Sequence, residues 1–448
     1  MLRILAVLVV ILVLAVGGLS LIPGVTVTQL PETLRVAAGL GAKLACSARW
    51  VTGLDEPQIL EDIASYSPAL TQLSVSLDEA ERFSEASLLG LYRTRAQYRD
   101  NIGCTLERGD TSALNDIELS SLTEPEAPWP AGSQVETQVP EIQQALEKLL
   151  AADNEEGLNT RALVLVRDGS IIAEAYGEGF APDTMLLGWS MGKSVTAMLL
   201  GHLEYQGMLD VTESAVFEPW QQDKRGNISV EQLLQMSSGL EFNETYVPGS
   251  DSTRMLFVEP SASDYAMQSP LAHPPGSHFS YSSGTANLLA RLFADKVGAD
   301  WLSYVQQRVY EPLALTRFHL EPDPSGVFVG SSYVFGSARD WARLGQVMIA
   351  GGELNGYRLV SEDWVKRASS PNGSDNDPRY GYQFWLNGGG EQLRWSNLPV
   401  DAYAMTGNRG QVVMMIPSLQ MVIVRLGWTS TRYNTNKKFA RIISLSES

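Results

Sequence analysis

The run Leu186-Leu187-Gly188-Trp189-Ser190-Met191-Gly192-Lys193-Ser194-Val195 decides how this chain is read. After it, apolar residues recur at helical spacing (Val195, Met198, Leu199, Leu203), and Gly207 supplies a stop. A helix starting near Ser190 sets Ser190 and Lys193 three residues apart on one face, side chain to side chain. An amine so placed takes a hydroxyl proton directly, with no histidine, provided that it is kept neutral. Moving a lysine pKa from about 10.4 to near 7 costs on the order of 4 kcal/mol of desolvation and charge repulsion. The apolar run supplies the setting for that shift. The helix start also offers free N–H groups and a partial positive charge to an oxyanion.

Gly188-x-Ser190-x-Gly192 also fits the nucleophile elbow of α/β-hydrolases, which needs an acid and then a histidine further along. The four histidines are His202, His273, His278 and His319, so none lies near the C-terminus, and no His-Gly-Gly loop precedes Ser190. The lysine reading instead needs a second hydroxyl cluster. Pro274-Pro275-Gly276-Ser277-His278-Phe279-Ser280-Tyr281-Ser282-Ser283-Gly284 supplies one, running into the helical pattern Ala286–Leu292. A tyrosine just before a helix can aim its phenol at the Ser/Lys pair and relay a proton to a leaving group; a buried tyrosine finding an ordinary hydrogen bond is the plainer alternative. A third element, Thr406-Gly407-Asn408-Arg409-Gly410-Gln411, leads into the strand-like Val412–Ile416. A turn at Ser418-Leu419 and the strand-like Gln420–Leu426 follow.

Taken in order, Trp189-Ser190-Met191-Gly192-Lys193-Ser194, Met236-Ser237-Ser238-Gly239-Leu240 and Pro275-Gly276…Tyr281-Ser282-Ser283 resemble the serine β-lactamase-like family. That family comprises class C β-lactamases, DD-peptidases and related esterases, and the likeness is in particular to the 6-aminohexanoate-dimer-hydrolase-like branch. The resemblance covers roughly residues 136–440. It implies Ser190 as nucleophile, Lys193 as general base and Tyr281 as proton relay, with Ser283 at a substrate-side position where class C enzymes carry asparagine. It also implies a Lys-Thr-Gly on the edge strand. Counting back from Ile416-Pro417, that triplet falls on Ala402-Tyr403-Ala404, so its lysine is missing. On this count the oxyanion donors are the Ser190 and Met405 amides, and Arg409 stands in for the lost charge. The branch further implies Tyr246, in Phe242-Asn243-Glu244-Thr245-Tyr246, as a substrate contact. The expected activity is acyl-enzyme hydrolysis of an ester or linear amide. β-Lactamase or DD-peptidase activity is the alternative, and a catalytically silent envelope-binding scaffold is another.

The formal net charge of −18 argues against a basic face for nucleic acid or anionic lipid. Neither metal nor cofactor is expected, since no phosphate loop or ligand cluster stands out. From Ile4 to Ile22 the chain is apolar, with Arg3 before it and Pro23-Gly24 after it. About 19 helical residues span about 28 Å, enough for a bilayer core. Residues 1–23 therefore read as a signal anchor or a cleaved signal peptide, and the protein as exported: held at the inner membrane facing the periplasm, or released there. The even cysteine count, Cys46 and Cys104, then favours a disulfide.

Residues 40–122 read as a small separate N-terminal module, with a helix at Ile59–Ala64 and a strand at Ser87–Tyr92. A proline-rich linker follows at 123–135, and the catalytic domain at 136–448. The latter opens with a helix near Pro140–Ala152 and a hairpin turned at Asp168-Gly169. Helical patterns then fill 190–350 and strands return after 380. That order is α+β: a β-lactamase/transpeptidase-like central antiparallel sheet built from both ends of the domain, with helices inserted between.

Overall fold

The computed structural model describes residues 29–136 and 138–447. The anchor or signal segment at 1–23 lies outside the described residues. Among these, no helix is long and apolar enough to cross a membrane.

The hairpin predicted at Asp168-Gly169 is present. Both residues have positive φ (49° and 79°), the backbone of a tight two-residue turn, and they join β5 (Thr160–Arg167) to β6 (Ser170–Tyr176). Three C-terminal strands complete the sheet on the other edge of β5: β11 (Tyr403–Gly407), β12 (Gln411–Ile416) and β13 (Met421–Gly427), with the short β10 (Trp385–Leu386) outside β11. The strand order is β10-β11-β12-β13-β5-β6, antiparallel throughout. β5 is buried on both faces and its alternate residues serve two cores. Leu163 and Leu165 join Leu149 of α3 (Pro140–Glu155) and Phe439 of α8 (Thr435–Glu447). Val164 and Val166 face the catalytic helices. One of these, α7 (Ala338–Ile349), lies so close to the sheet that a Cβ on its Gly345 would stand 2.6 Å from Val422. This is the α+β architecture expected from the element order.

The N-terminal part departs from expectation in two respects. Its first described helix, α1, begins at Leu30 rather than near residue 40 and runs to Ser47. The stretch Ser87–Tyr92 is not one strand: β2 (Phe83–Leu88) ends, Leu89 and Gly90 turn at φ 55° and 68°, and β3 (Tyr92–Arg99) begins. With β1 (Leu73–Asp78) and β4 (Gly103–Leu106) these form a four-stranded antiparallel sheet under α1. The Cys46–Cys104 disulfide ties α1 to β4.

Nor does this part stand apart. Its apolar residues belong to the same continuous core as Trp189 and Met191. Gly39 of α1 is packed against Phe257, where a Cβ would fall 2.0 Å from the carbonyl oxygen. Lys43 is ion-paired with Glu321 out of solvent, and Glu321 also accepts from Ser47 Oγ (3.0 Å) and the Cys104 N–H (2.6 Å). Asp62, in α2 (Glu56–Ala64), takes a two-pronged contact from buried Arg161 of β5. The stretch 123–135 is likewise docked: Arg343 of α7 reaches Glu124 (2.7 Å) and the Pro130 carbonyl (2.9 Å).

Candidate active site

Ser190 sits where a short strand, β7 (Leu186–Leu187), turns into α4 (Met191–Tyr205). β7 pairs with β9 (Val334–Gly336), which also pairs with β8 (Phe318–Leu320). Gly188 anchors the turn through its N–H to the Val334 carbonyl (2.8 Å). Trp189, buried and not a glycine, holds φ +48°, a left-handed backbone that costs of order 1–3 kcal/mol and concentrates at functional sites. The helix then closes at once, with Lys193 N–H on the Ser190 carbonyl at 3.1 Å.

Lys193 is buried, and burial pushes its pKa down to about 8, with the nearby Glu244 carboxylate opposing the shift. Its Nζ lies 3.1 Å from Ser190 Oγ, 3.0 Å from Ser283 Oγ and 3.2 Å from the Ser331 carbonyl oxygen. These three partners are not equivalent. The Ser331 carbonyl only accepts. Ser283 spends its own proton on Glu244 Oε1 (2.5 Å), so toward the lysine it too can only accept. A neutral amine has two N–H groups and one lone pair. With both N–H groups held by Ser283 and Ser331, the lone pair is left for the Ser190 hydroxyl.

Tyr281 stacks on Trp385 (centroids 5.2 Å apart) and meets Tyr380 edge-on, with Lys193 Nζ 4.7 Å from its ring centre. Burial drives its phenol well above the usual tyrosine range, against a counteracting hydrogen bond with Ser190. At neutral pH the phenol therefore keeps its proton, which suits it to donate and leaves the base role to the lysine.

Four expected contacts are revised. Ser283 is fully buried at the start of α6 (Ser283–Val297), held by Lys193 and Glu244 rather than open to a substrate. Arg409 is buried with its guanidinium carbon 3.6 Å from the Tyr66 ring centre, so its charge goes to an N-terminal tyrosine and is not presented to a ligand. The edge-strand count is offset by three residues. It is Gly407 that abuts the nucleophile turn, where a Cβ would lie 2.1 Å from the Gly188 carbonyl oxygen. The facing triplet is thus Met405-Thr406-Gly407, because only three residues, Asn408–Gly410, separate β11 from β12. Either count leaves the strand without the lysine.

Met405 is the fourth. The Asn387 N–H donates to the Ala402 carbonyl (2.9 Å), so Ala402 turns its peptide groups toward β10. Peptide groups alternate sides along a strand, so those of Met405 face β12, opposite Val413, and its N–H belongs to the ladder. Gly407 is extended (φ −136°, ψ 165°), so the alternation carries through and turns the Asn408 N–H away from β12.

Tyr246 does reach the site. Its ring is 47% exposed while its hydroxyl points inward to Glu244 Oε1 at 3.3 Å. Glu244 itself escaped the sequence reading. It accepts from both the N–H (2.7 Å) and the hydroxyl of Ser283, which lies 39 residues further along the chain. Its only local signal was an acidic residue two positions before Tyr246. The Ser331 carbonyl carried none.

A beta-lactamase family model matches residues 142–441. The chain belongs to the beta-lactamase family. This family member is 26% identical over 316 residues to the 6-aminohexanoate-dimer hydrolase of Paenarthrobacter ureafaciens, an overlap of 65% of this chain and 76% of that protein. Its fold is similar to that of a family VIII carboxylesterase (TM-score 0.53, 15% identity, 70% of this chain and 98% of that one). It is similar also to a penicillin-binding protein homolog from Caulobacter crescentus (TM-score 0.52, 18% identity, 70% and 99%). The resemblance drawn from the motifs holds, and the chain is a hydrolase of the serine beta-lactamase-like family.

Proposed function

We propose that this chain is an exported hydrolase that cleaves an ester or linear amide through an acyl-enzyme on Ser190. One observation carries the reading: buried Lys193 Nζ lies within hydrogen-bond reach of Ser190 Oγ, Ser283 Oγ and the Ser331 carbonyl, and Ser283 spends its own proton on Glu244, so a neutral amine here has its lone pair left for the Ser190 hydroxyl. Lys193 takes that proton as Oγ attacks the carbonyl carbon. The oxyanion rests on the Ser190 and Asn408 amides, and the proton that Lys193 took up is handed on through Tyr281 to the departing alcohol or amine, which restores the neutral lysine. Water, deprotonated by the same amine, then attacks the ester and returns free Ser190 and a carboxylic acid. Met405 in place of the strand lysine supports esters and linear amides over β-lactams, whose carboxylate that lysine helps to hold.

The disulfide supports an oxidising compartment, and with it the export and inner-membrane or periplasmic location expected from residues 1–23. A fluorophosphonate probe is expected to label the full-length protein and to lose its target in Ser190→Ala. Labelling that persists in that variant refutes the nucleophile. Lys193→Met is expected to lower kcat by orders of magnitude with the fold intact.

A further inference from the structure

A partly open, mainly apolar cavity of about 210 Å³ adjoins the nucleophile turn at Trp189. Trp189, Tyr246 and Asn408 border it on the catalytic side. Its opposite wall comes from the N-terminal segment. Thr33, Val36, Ala37 and Leu40 of α1 recur at i, i+3, i+4 and i+7, hence on one helix face, and Ala69 and Leu70 add a second patch. The wall is rigid, because α1 is fastened by the Cys46–Cys104 disulfide, the Lys43–Glu321 pair and the Gly39–Phe257 contact. Among the described residues, no charged side chain lines the cavity. A larger open depression of about 760 Å³, bordered by Asp223, Arg225 and His273, is lined neither by Trp189 of the nucleophile turn nor by Asn408 at the end of β11.

We propose that this cavity receives the acyl chain of the substrate, and that the chain is an uncharged aliphatic one of up to roughly eight carbons. The inference rests on the acyl-enzyme reading above and adds the substrate class to it. The direction follows from the proton donor. A leaving group must lie beside Tyr281, which neither lines the cavity nor stands apart from its stack with Trp385 and Tyr380. The acyl carbon chain then departs from the Ser190 ester the other way, past Trp189 and Asn408. The size follows from volume: an apolar cavity of about 150 Å³ holds benzene, so the present one holds roughly eight carbons. The exclusion of charge follows from the lining, since a terminal ammonium or carboxylate would be desolvated there with no ionic partner.

The test is a series of p-nitrophenyl esters from acetate to dodecanoate, with the 8-aminooctanoate ester, on the full-length protein. We expect kcat/KM to rise about fourfold per methylene, the equivalent of about 0.8 kcal/mol per buried CH₂, to a maximum near octanoate. The aminooctanoate ester should fall at least tenfold below octanoate. Ala37→Phe, which fills the cavity, should cut the octanoate-to-acetate ratio at least tenfold, and Leu70→Ala, which enlarges it, should move the maximum to longer chains. Fluorophosphonate labelling reports whether each variant is folded; should Ala37→Phe fail to label, Leu70→Ala and the charged ester decide. A flat series, equal turnover of the charged ester, or unchanged ratios in labelled variants would overturn the cavity assignment alone. Loss of both acetate turnover and labelling in the wild type would overturn the hydrolase reading with it.

Discussion

Glu244→Gln offers the sharpest test of how the site is wired. Glu244 receives both the N–H and the hydroxyl of Ser283, and this is what leaves Ser283 Oγ as a pure acceptor for Lys193. In the amide, the backbone N–H still needs an acceptor and claims the remaining carbonyl oxygen. The NH₂ arm then faces Ser283 Oγ and donates to it, so the Ser283 proton turns toward Lys193 and competes with Ser190 for the lone pair. Losing one charge-assisted hydrogen bond in the correct sense is worth about 1.5–3 kcal/mol, hence an expected fall of roughly 10–100-fold in plateau kcat/KM. The charge has a second effect. Consecutive hydrogen bonds of 2.5 and 3.0 Å place the carboxylate within about 5.5 Å of Nζ, worth about 3 kcal/mol at an effective dielectric constant near 20. Glu244 is half-buried, and solvent trims that figure, so a shift of roughly one pH unit is expected. The sign is fixed: the anion favours protonated lysine, so removing it lowers the Lys193 pKa. In the wild type, kcat/KM for a p-nitrophenyl ester should rise with pH to a plateau above about 8, as Lys193 loses its proton. In Glu244→Gln the limb should move to lower pH while the plateau drops. A variant with the wild-type limb and plateau refutes the Glu244–Ser283–Lys193 relay, and a lowered plateau with an unmoved limb reduces Glu244 to a structural role.

Lys43→Met leaves Glu321 buried without its cation, and urea unfolding should show a loss of about 3–5 kcal/mol; a loss below about 1 kcal/mol would show that the pair does not fasten α1. Reducing the disulfide, which closes a loop of 58 residues, should cost about 4 kcal/mol. Labelling of Ser190 should survive that reduction while the octanoate-to-acetate ratio falls, because α1 walls the cavity and neither cysteine is among the hydrogen-bond partners of Lys193; free thiols in protein isolated without reductant would refute the pairing. Nitrocefin turnover should be far below that of p-nitrophenyl esters, given Met405 where a lysine is needed, and equal turnover would refute the substrate reading.

The parts of this protein legible in sequence are those set by local geometry. Ser190 and Lys193 meet because one helical turn brings residues three apart together, and Asp168-Gly169 turns a hairpin because its backbone demands positive φ. The order of strands and inserted helices was enough for the α+β class. What sequence alone misplaced depends on partners far along the chain. Glu244 orients Ser283 from 39 residues away, and Arg409 is drawn onto Tyr66 by packing. The Met405 amide is directed into the ladder, and Asn408 becomes the candidate oxyanion donor, because strand register settles which N–H groups pair, and a register is a property of two strands. The N-terminal segment became a wall of the site through buried ion pairs and a glycine contact whose partners no spacing in the chain connects. Periodicity records what a residue does within its own element; which faces meet is decided by burial, when distant elements share one core.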